Sequence, residues 1–360
     1  MHINSISIQN FRSINLLNLE FDTPISVICG HNNAGKTTIL EALYFCSNLS
    51  SFKPVPNQEL ILESSKFFKI SLNFTQNQLK SNISIEKSLK TAKCLYNNKK
   101  ILKKRLMITF PCYSLVFGFN NILLNDSSYR RDFLDSGMFH VEHDTQKHYL
   151  SFVKSLKQRN FLLKAKKNDD IKFWTEELIN ANEILHHSRN RYFDLLNKEF
   201  VGILDSLRHD MPEIYDEISS IKLVYNKGWE GSYKEQLDLG LSKDTALGFT
   251  SIGTHRADIK IKSRGKLVKE SGSMSTLVLS CLIMYLAKIK TFHVKHGFKP
   301  LLLIDDLFFG IDNKNLETVI KLLIYSNSNI VMTAPNIYRE ILEEVCKANK
   351  KISIVDVGAK

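Results

Sequence analysis

The eight residues from Gly30 to Thr37 have the types and the spacing of a loop that binds phosphate. They read Gly-His-Asn-Asn-Ala-Gly-Lys-Thr, which fits the pattern G-x-x-x-x-G-K-[S/T] in full. Glycines let such a backbone curl so that its N–H groups point at phosphate oxygens, and the helix that follows directs its positive end there. Lys36 is placed to reach the β- and γ-phosphates, and the Thr37 hydroxyl can ligate Mg²⁺. The pattern therefore predicts a site for ATP and Mg²⁺.

The residues on either side of this loop read as a strand and a helix. A short β-branched run, 25–29, ends at Gly30, and apolar residues recur at helical spacing from 38 to 45. A buried strand before the loop and an amphipathic helix after it form the context that phosphate binding requires. We therefore predict nucleotide contacts for Gly30, His31, Asn32, Asn33, Ala34, Gly35, Lys36, Thr37 and Thr38.

A second candidate motif lies far along the chain. The apolar run 301–304 follows a proline, has the composition of a buried strand, and ends in Asp305 and Asp306. If this strand lies beside the phosphate-loop strand, Asp305 ligates the metal directly or through water, and Asp306 orients or deprotonates the attacking water. The alternative is a strand that ends in acidic surface residues. The long separation from Lys36 predicts an ATPase divided by an insertion.

The pattern of apolar residues changes between 130 and 218. There they recur at intervals of three and four, and proline and glycine are nearly absent, which predicts long helices. Strands are predicted before this region, with a hairpin turn at 96–99, and after it at 221–226, 249–262, 330–332 and 352–355. A helix is expected from 274 to 290. The whole reads as an α/β domain that contains an inserted helical lobe.

Composition favours a polyanionic partner. The net charge is +12 and the sequence pI is near 9.2, which suits nucleic acid or an anionic membrane surface. No apolar run has the length of a membrane span, and the first residues lack the pattern of a signal peptide, so we expect a cytoplasmic protein with no membrane partner. The six cysteines form no metal-ligand pattern and are expected to be small buried residues.

Two groups of basic residues are candidates for contacts with a nucleic-acid backbone. The first surrounds the predicted hairpin and comprises Lys87, Lys90, Lys93, Lys99, Lys100, Lys103, Lys104 and Arg105. The second lies at the start of the helical lobe and comprises Lys154, Lys157, Arg159, Lys164, Lys166 and Lys167. Such groups neutralise phosphates without reading sequence. The alternative for either group is a solvated basic face.

Further short motifs occur in one order along nearly the whole chain. They are Asn10-Phe11-Arg12, Leu40-Glu41-Ala42 after the phosphate loop, Ser51-Phe52-Lys53, Arg130 to Asp135, Leu156-Lys157-Gln158-Arg159-Asn160, Gly253-Thr254-His255-Arg256, and Leu303 to Asp306 followed by Asp312. Together they resemble the RecF family of bacterial recombination mediators, whose ATPase heads are similar to those of ABC and SMC proteins. The resemblance implies an α/β fold, an ABC/SMC-like P-loop ATPase head with an inserted helical lobe.

Within that fold the expected segments are a first half of the head at 1–129, the lobe at 130–218, and a second half at 219–360 with the signature and the Walker B strand. The resemblance implies an ATP-dependent protein of DNA recombination, replication restart and the SOS response that binds single-stranded and gapped double-stranded DNA. It also implies cooperation with RecR and RecO in loading RecA, an ATP-dependent homodimer, and weak DNA-stimulated hydrolysis. Arg12 is then either a phosphate contact or a surface arginine, and Asp312 matches the D-loop.

The signature motif departs from the family. Where the family has Ser-x-Gly-Gln, this chain reads Glu270-Ser271-Gly272-Ser273. The resemblance places Gly272 and Ser273 against the nucleotide of the partner subunit, but an ionised Glu270 cannot donate a hydrogen bond to it. Either the ATP-bound dimer is weak, or the register shifts and Ser271 or Ser273 donates instead, which we favour.

Two other classes of function are compared with this interpretation. The ATPase subunit of an ABC transporter would need a shorter helical insert, an intact signature and a histidine after the penultimate strand, where this chain has Thr333-Ala334. The second class is a nucleotide-gated DNA-binding scaffold without significant hydrolysis, which the altered signature keeps open.

Overall fold

The computed structural model describes residues 1–117, 122–142, 144–166, 170–308 and 313–358. The chain divides into two compact units. The first comprises residues 1–121 and 292–360, and the second comprises residues 122–291. The region predicted as a helical lobe, 130–218, lies within the second unit, which also contains 219–291.

The strands, in chain order, are β1 (His2–Phe11), β2 (Ile14–Glu20), β3 (Ile25–Gly30), β4 (Phe67–Gln76), β5 (Leu79–Ser88), β6 (Ala92–Tyr96), β7 (Lys99–Lys100), β8 (Cys112–Val116), β9 (Ile221–Asn226), β10 (Asp258–Ser263), β11 (Lys266–Leu267), β12 (Leu301–Asp305), β13 (Asn329–Pro335) and β14 (Ile352–Asp356). The helices are α1 (Lys36–Asn48), α2 (Lys103–Thr109), α3 (Ser127–Val141), α4 (Thr145–Ala165), α5 (Ile171–Asp210), α6 (Pro212–Ile218), α7 (Tyr233–Leu239), α8 (Leu241–Leu247), α9 (Val268–Ser271), α10 (Met274–His296), α11 (Asn313–Tyr325) and α12 (Arg339–Ala348).

A parallel sheet in the first unit carries the predicted nucleotide motifs. Its strand order is β14-β3-β13-β12-β8, and every residue of β3 and β12 is buried. Strands buried on both faces read as continuous apolar runs, which is why both were recognisable in the sequence. The condition set out from the sequence, that the aspartate strand lies beside the phosphate-loop strand, is not met directly, because β13 lies between β3 and β12 and pairs with both.

The first unit also contains an antiparallel sheet with the order β2-β1-β4-β5-β6-β7. Its apolar side chains join those of α1 in one core, in which the aromatic rings of Phe11, Phe45 and Phe68 meet edge to face. The predicted hairpin turn is confirmed: Asn97 and Asn98 both have positive φ, as a tight turn between two strands requires.

The second unit is mainly helical. The predicted long helices are confirmed as α3, α4 and α5, the region ends in the short helix α6, and α4 packs along α5. The unit also contains a three-stranded sheet with the strand order β11-β10-β9. The strand predicted at 249–262 is shorter than expected, since it begins only at Asp258, and 249–257 is a loop held by side chains.

Among the described residues one helix, α10, is long and apolar enough to cross a membrane by length and composition. Its mean hydropathy over the most apolar window is 1.5, and 83% of that window is buried within the protein. This burial accounts for the apolar composition of the helix as that of a core element. Five of the six cysteines are buried, as predicted, and Cys346 is half-buried.

Candidate functional site

The phosphate loop leaves β3 at Gly30 and enters α1 at Lys36. A side chain at Gly30 would place its Cβ 2.5 Å from the carbonyl oxygen of Val357, so only glycine fits there. Gly35 has φ of +83° and directly precedes the helix, a backbone conformation that other residues rarely adopt. The two glycines of the motif are therefore required for different reasons, crowding at the first and backbone geometry at the second.

Lys36 is folded back onto the loop. Its Nζ donates to the carbonyl oxygens of Gly30 at 2.8 Å and His31 at 2.7 Å. The first turn of α1 has no side-chain cap and no acidic residue, so its N–H groups have no side-chain anion. A cation and an open helix N-terminus thus meet at one loop, and this combination suits a phosphate group.

Thr333 on β13 connects the two strands that carry the predicted motifs. Its hydroxyl donates to Asp305 Oδ1 at 2.7 Å and accepts from the Asp306 backbone N–H at 3.2 Å. The Thr37 side chain lies close enough to Asp305 to lower its pKa, so the end of β12 is beside the phosphate loop although β13 lies between the two strands. The sequence analysis noted Thr333 only because it stands where an ABC transporter subunit would have a histidine, and did not predict its contact with Asp305.

Asp305 and Asp306 occupy different environments although they are adjacent. Asp305 is 2% exposed, and burial is the main reason that its pKa is raised, with the Asp306 charge adding to the effect. Hydrogen bonds from Thr333 and Thr37 and the charge of Lys53 act in the opposite direction. Asp306 is exposed and has φ of +57°. One carboxylate therefore lies within the protein beside Thr37, and the other is accessible to water.

Arg12 is held by an ion pair at α1. Its guanidinium donates to both carboxylate oxygens of Glu41, at 2.5 and 2.6 Å, and the Glu41 side chain is fully buried. Ser51 donates to the same carboxylate. Arg12 is therefore not a free surface arginine, and 20% of its side chain remains exposed. The partner was visible in the sequence as a charged residue on the apolar face of a helix.

The altered signature lies at the junction of α9 and α10. Ser273 Oγ accepts from the Thr276 N–H at 3.1 Å and so caps α10. Glu217, at the end of α6, accepts hydrogen bonds from the hydroxyls of Ser273, Ser275 and Thr276 at 3.4, 3.2 and 3.0 Å. Gly272 directly precedes the cap, and Glu270 is exposed. No local sequence pattern predicts that a carboxylate from another helix accepts hydrogen bonds from this segment.

The remaining predicted site residues divide into three groups. Asp312 and Lys167 lie outside the described residues. The hairpin cations are exposed except Lys87, which is half-buried and whose pKa is lowered first by burial and then by the charge of Lys103. In the second basic group Arg159 was wrongly taken as a DNA contact, since it is fully buried and paired with Asp244.

The sequence of this chain is similar to that of known proteins. The AAA ATPase domain family matches residues 1–236. The DNA replication and repair protein RecF of Pseudoalteromonas translucida (strain TAC 125) is 32% identical over 348 residues, which covers 93% of this chain and 92% of that protein.

Solved structures show the same fold. A structure described as the recombination mediator protein RecF-ATPrS in the RecFOR pathway has a TM-score of 0.80 at 20% identity, over 99% of this chain and 96% of that one. The Smc head domain from Pyrococcus furiosus, with an extended coiled coil and bound to the C-terminal domain of ScpA, has a TM-score of 0.55 at 14% identity, over 100% and 94%. The predicted ABC/SMC-like head with an inserted helical lobe is confirmed.

Proposed function

The chain belongs to the RecF family, and on that premise we propose that it is an ATP-dependent DNA-binding protein of replication and repair. In this proposal it acts at single-strand gaps in recombinational repair and replication restart. It cooperates there with RecR and RecO to load a RecA-type recombinase. The binding of ATP brings two copies together as a homodimer.

The observation that carries the proposal is the phosphate loop with its open helix N-terminus. Among the residues that the structure describes, Lys36 Nζ donates to the loop carbonyls of Gly30 and His31, and a phosphate can replace both. Thr37 and Asp305 supply oxygen donors that already approach one another, and oxygen is the ligand that Mg²⁺ prefers. In this role they hold the metal, which would neutralise charge on the β- and γ-phosphates.

Asp306 is the proposed catalytic residue. Its exposed carboxylate can orient or deprotonate a water molecule, while the buried Asp305 cannot reach solvent in the same way. Gly272, Ser273 and Asp312 are proposed to contact the nucleotide of the partner subunit, and Arg12 to contact phosphate with its exposed edge. Hydrolysis is expected to be weak and stimulated by DNA.

A nucleotide-gated scaffold is the second candidate. It is favoured by the contact of Glu217 with the hydroxyls of Ser273, Ser275 and Thr276, which places an anion beside Ser273, a proposed donor to the nucleotide. Phosphate release, measured with and without gapped DNA, separates the two. Release that is stimulated by DNA and lost in Asp306→Asn supports the ATPase. ATP-dependent DNA binding with no release above that of Asp306→Asn supports the scaffold.

The basic hairpin is the proposed site for the duplex backbone. Lys99 and Lys100 form the edge strand β7, and Lys103 begins the short helix after it, so several cations share one exposed edge. Replacing these three lysines with glutamine should lower the slope of log affinity against log salt by about 3, near one for each lost phosphate contact. Glutamine at Lys321, Lys347 and Lys350, exposed lysines elsewhere in the same unit, is the matched control. An unchanged slope would remove the hairpin from the site.

A further inference from the structure

A loop of the second unit is fixed to the helix α4 by buried polar contacts. Arg159 Nη1 donates to Asp244 Oδ2 at 2.8 Å and to Thr250 Oγ1 at 2.6 Å. The neighbouring Asn160 accepts from both the N–H and the hydroxyl of Thr250, at 2.8 and 2.7 Å. Both members of the ion pair are buried, and such pairs contribute less to stability than to the geometry they impose. The loop therefore has one defined position beside α4.

The far end of the same loop is fixed from α5. Arg189 Nη1 donates to the Thr254 carbonyl at 2.5 Å while its other nitrogens bind the Asp135 carboxylate, both at 2.7 Å. Asn182 Oδ1 accepts from the Thr254 N–H at 2.8 Å. Three of the motifs that resemble the family, around 130–135, 156–160 and 253–256, thus meet at this loop. Their buried polar groups therefore fix the positions of the side chains that the loop and α4 expose to solvent.

What they present is a mixture of aromatic rings and cations. Lys157, Phe161 and Lys164 share the outer face of α4 at helical spacing, and Phe161 is 63% exposed. On the loop, the Arg256 guanidinium lies 5.4 Å from the ring centroid of Phe249, which is 38% exposed. The two parts adjoin, because a Cβ at Gly248 would lie 3.7 Å from the Lys164 Cα. We call these five residues, Lys157, Phe161, Lys164, Phe249 and Arg256, the α4 surface.

The charge of this surface has one sign. The sequences of α4 and of the loop 248–256 contain no acidic residue. Within the described part of the chain, Lys157, Lys164 and Arg256 form no ion pair. A cationic surface without internal counterions, interrupted by exposed rings, has the composition that proteins use to bind single-stranded nucleic acid.

We propose that the α4 surface binds single-stranded DNA. The three cations neutralise backbone phosphates, and Phe161 and Phe249 stack on bases. Single-stranded DNA fits better than duplex, because only unpaired bases present their faces to an aromatic ring. This inference rests on the proposed function, since it presupposes that DNA is the ligand, and adds where the single strand lies.

The test uses the full-length protein and a fluorescent oligothymidine, with binding followed by anisotropy over a range of salt. Phe161→Ala combined with Phe249→Ala should weaken binding by about thirtyfold or more, because each change removes the stacking of one base. Lys157→Gln combined with Lys164→Gln should lower the salt slope by about 1.4, near 0.7 for each single-strand phosphate contact. Leu195→Ala with Lys198→Gln, exposed residues of α5, is the matched control and should change neither quantity.

The outcomes distinguish this inference from the proposed function. Loss of oligothymidine binding in the α4 variants, with unchanged ATP affinity and thermal unfolding, supports it. If the α4 variants bind oligothymidine as tightly as the wild-type protein does, the α4 surface is not the site for single-stranded DNA. DNA binding by the protein would then stand, and an acidic protein segment would be the favoured partner of the α4 surface. Equal weakening of duplex binding by the two phenylalanine changes overturns base stacking. A wild-type protein that binds no DNA at any salt overturns both proposals.

Discussion

Two helix N-termini in this molecule bear on nucleotide binding, and they are built in opposite ways. The N-terminus of α1 follows Gly35 and has neither a side-chain cap nor an acidic residue in its first turn. The N-terminus of α10 is capped by Ser273, and Glu217 accepts hydrogen bonds from three of its hydroxyl groups. The first leaves its positive end for an anion from outside, whereas the second already has one from the same chain.

This difference determines what a nucleotide must displace at the N-terminus of α1 and at that of α10. At α1 an incoming phosphate gains N–H donors that lack a side-chain partner and displaces only the carbonyl contacts of Lys36. At α10 an incoming anion must displace a carboxylate, and like charges at short range repel by about 1 kcal/mol even in water. The phosphate loop is therefore expected to bind nucleotide by itself, and the signature only when Glu217 is released.

The largest expected effect is at the open N-terminus. Lys36→Ala should weaken ATP binding by about 100-fold or more, because charge-assisted hydrogen bonds to phosphate are lost while the fold is kept. A fluorescent ATP analogue measures this, with Lys69→Ala, an exposed lysine of strand β4, as the control. Unchanged affinity in Lys36→Ala would mean that the nucleotide binds elsewhere.

The aspartates come next. Asp306→Asn should keep Mg·ATP binding and slow hydrolysis by about 10-fold to 100-fold, whereas Asp305→Asn should reduce the dependence of ATP binding on Mg²⁺. Titrations of Mg²⁺ and of phosphate release separate these effects. If the two variants cannot be told apart in either assay, the separate roles are wrong.

A change of pH sharpens the role of Asp305. Its folded-state pKa is raised by burial, so the metal-binding carboxylate form is lost at a higher pH than an ordinary aspartate would lose it. ATP binding in Mg²⁺ should weaken as the pH falls through that raised pKa. Without Mg²⁺, the buried charge of Asp305 lowers the free energy of unfolding at pH values above the raised pKa, and this loss disappears as the pH falls below it. At neutral pH the variant Asp305→Asn lacks the charge, so it should unfold at an equal or higher temperature than the wild-type protein.

At the N-terminus of α10, where Glu217 already accepts hydrogen bonds, the expected effect is smaller. Glu217→Gln keeps the shape but removes the charge, and should strengthen ATP-dependent dimerisation by roughly tenfold, the size of one charge–dipole and hydrogen-bond contribution. Ser271→Ala with Ser273→Ala should weaken it, because these hydroxyls are the proposed donors. Sedimentation velocity with and without Mg·ATP measures both. No change in Glu217→Gln would show that the two N-termini do not differ in the way described.

The smallest effect is expected at Glu270. It is exposed and makes no contact with the three hydroxyls at α10, so Glu270→Ser should alter ATP-dependent dimerisation by less than about twofold. If Glu270→Ser instead strengthens dimerisation markedly in the same sedimentation assay, Glu270 and not Glu217 is the charge that repels the nucleotide. The signature would then align with the family without the shift in register that we favour.

The phosphate loop could be predicted from sequence because its chemistry lies within consecutive residues. Strand order could not, since the position of β13 between β3 and β12 depends on pairing between distant segments. The same limit explains Arg159, which resembles the lysines around it in sequence but is buried by Asp244 and Thr250, far along the chain. Glu217 was missed for this reason also, because no local pattern links α6 to the start of α10.

The position of the phosphate-loop strand has a consequence for synthesis. Both neighbours of β3, the strands β13 and β14, come from the other end of the sequence, and Val357 packs against Gly30. During translation β3 therefore emerges as an apolar segment with both edges unpaired, and it stays so until β13 and β14, about 300 residues later in the sequence, have left the ribosome. We therefore expect the phosphate loop to be formed only after β13 and β14 have paired with β3, and β3 to be a segment that chaperones protect.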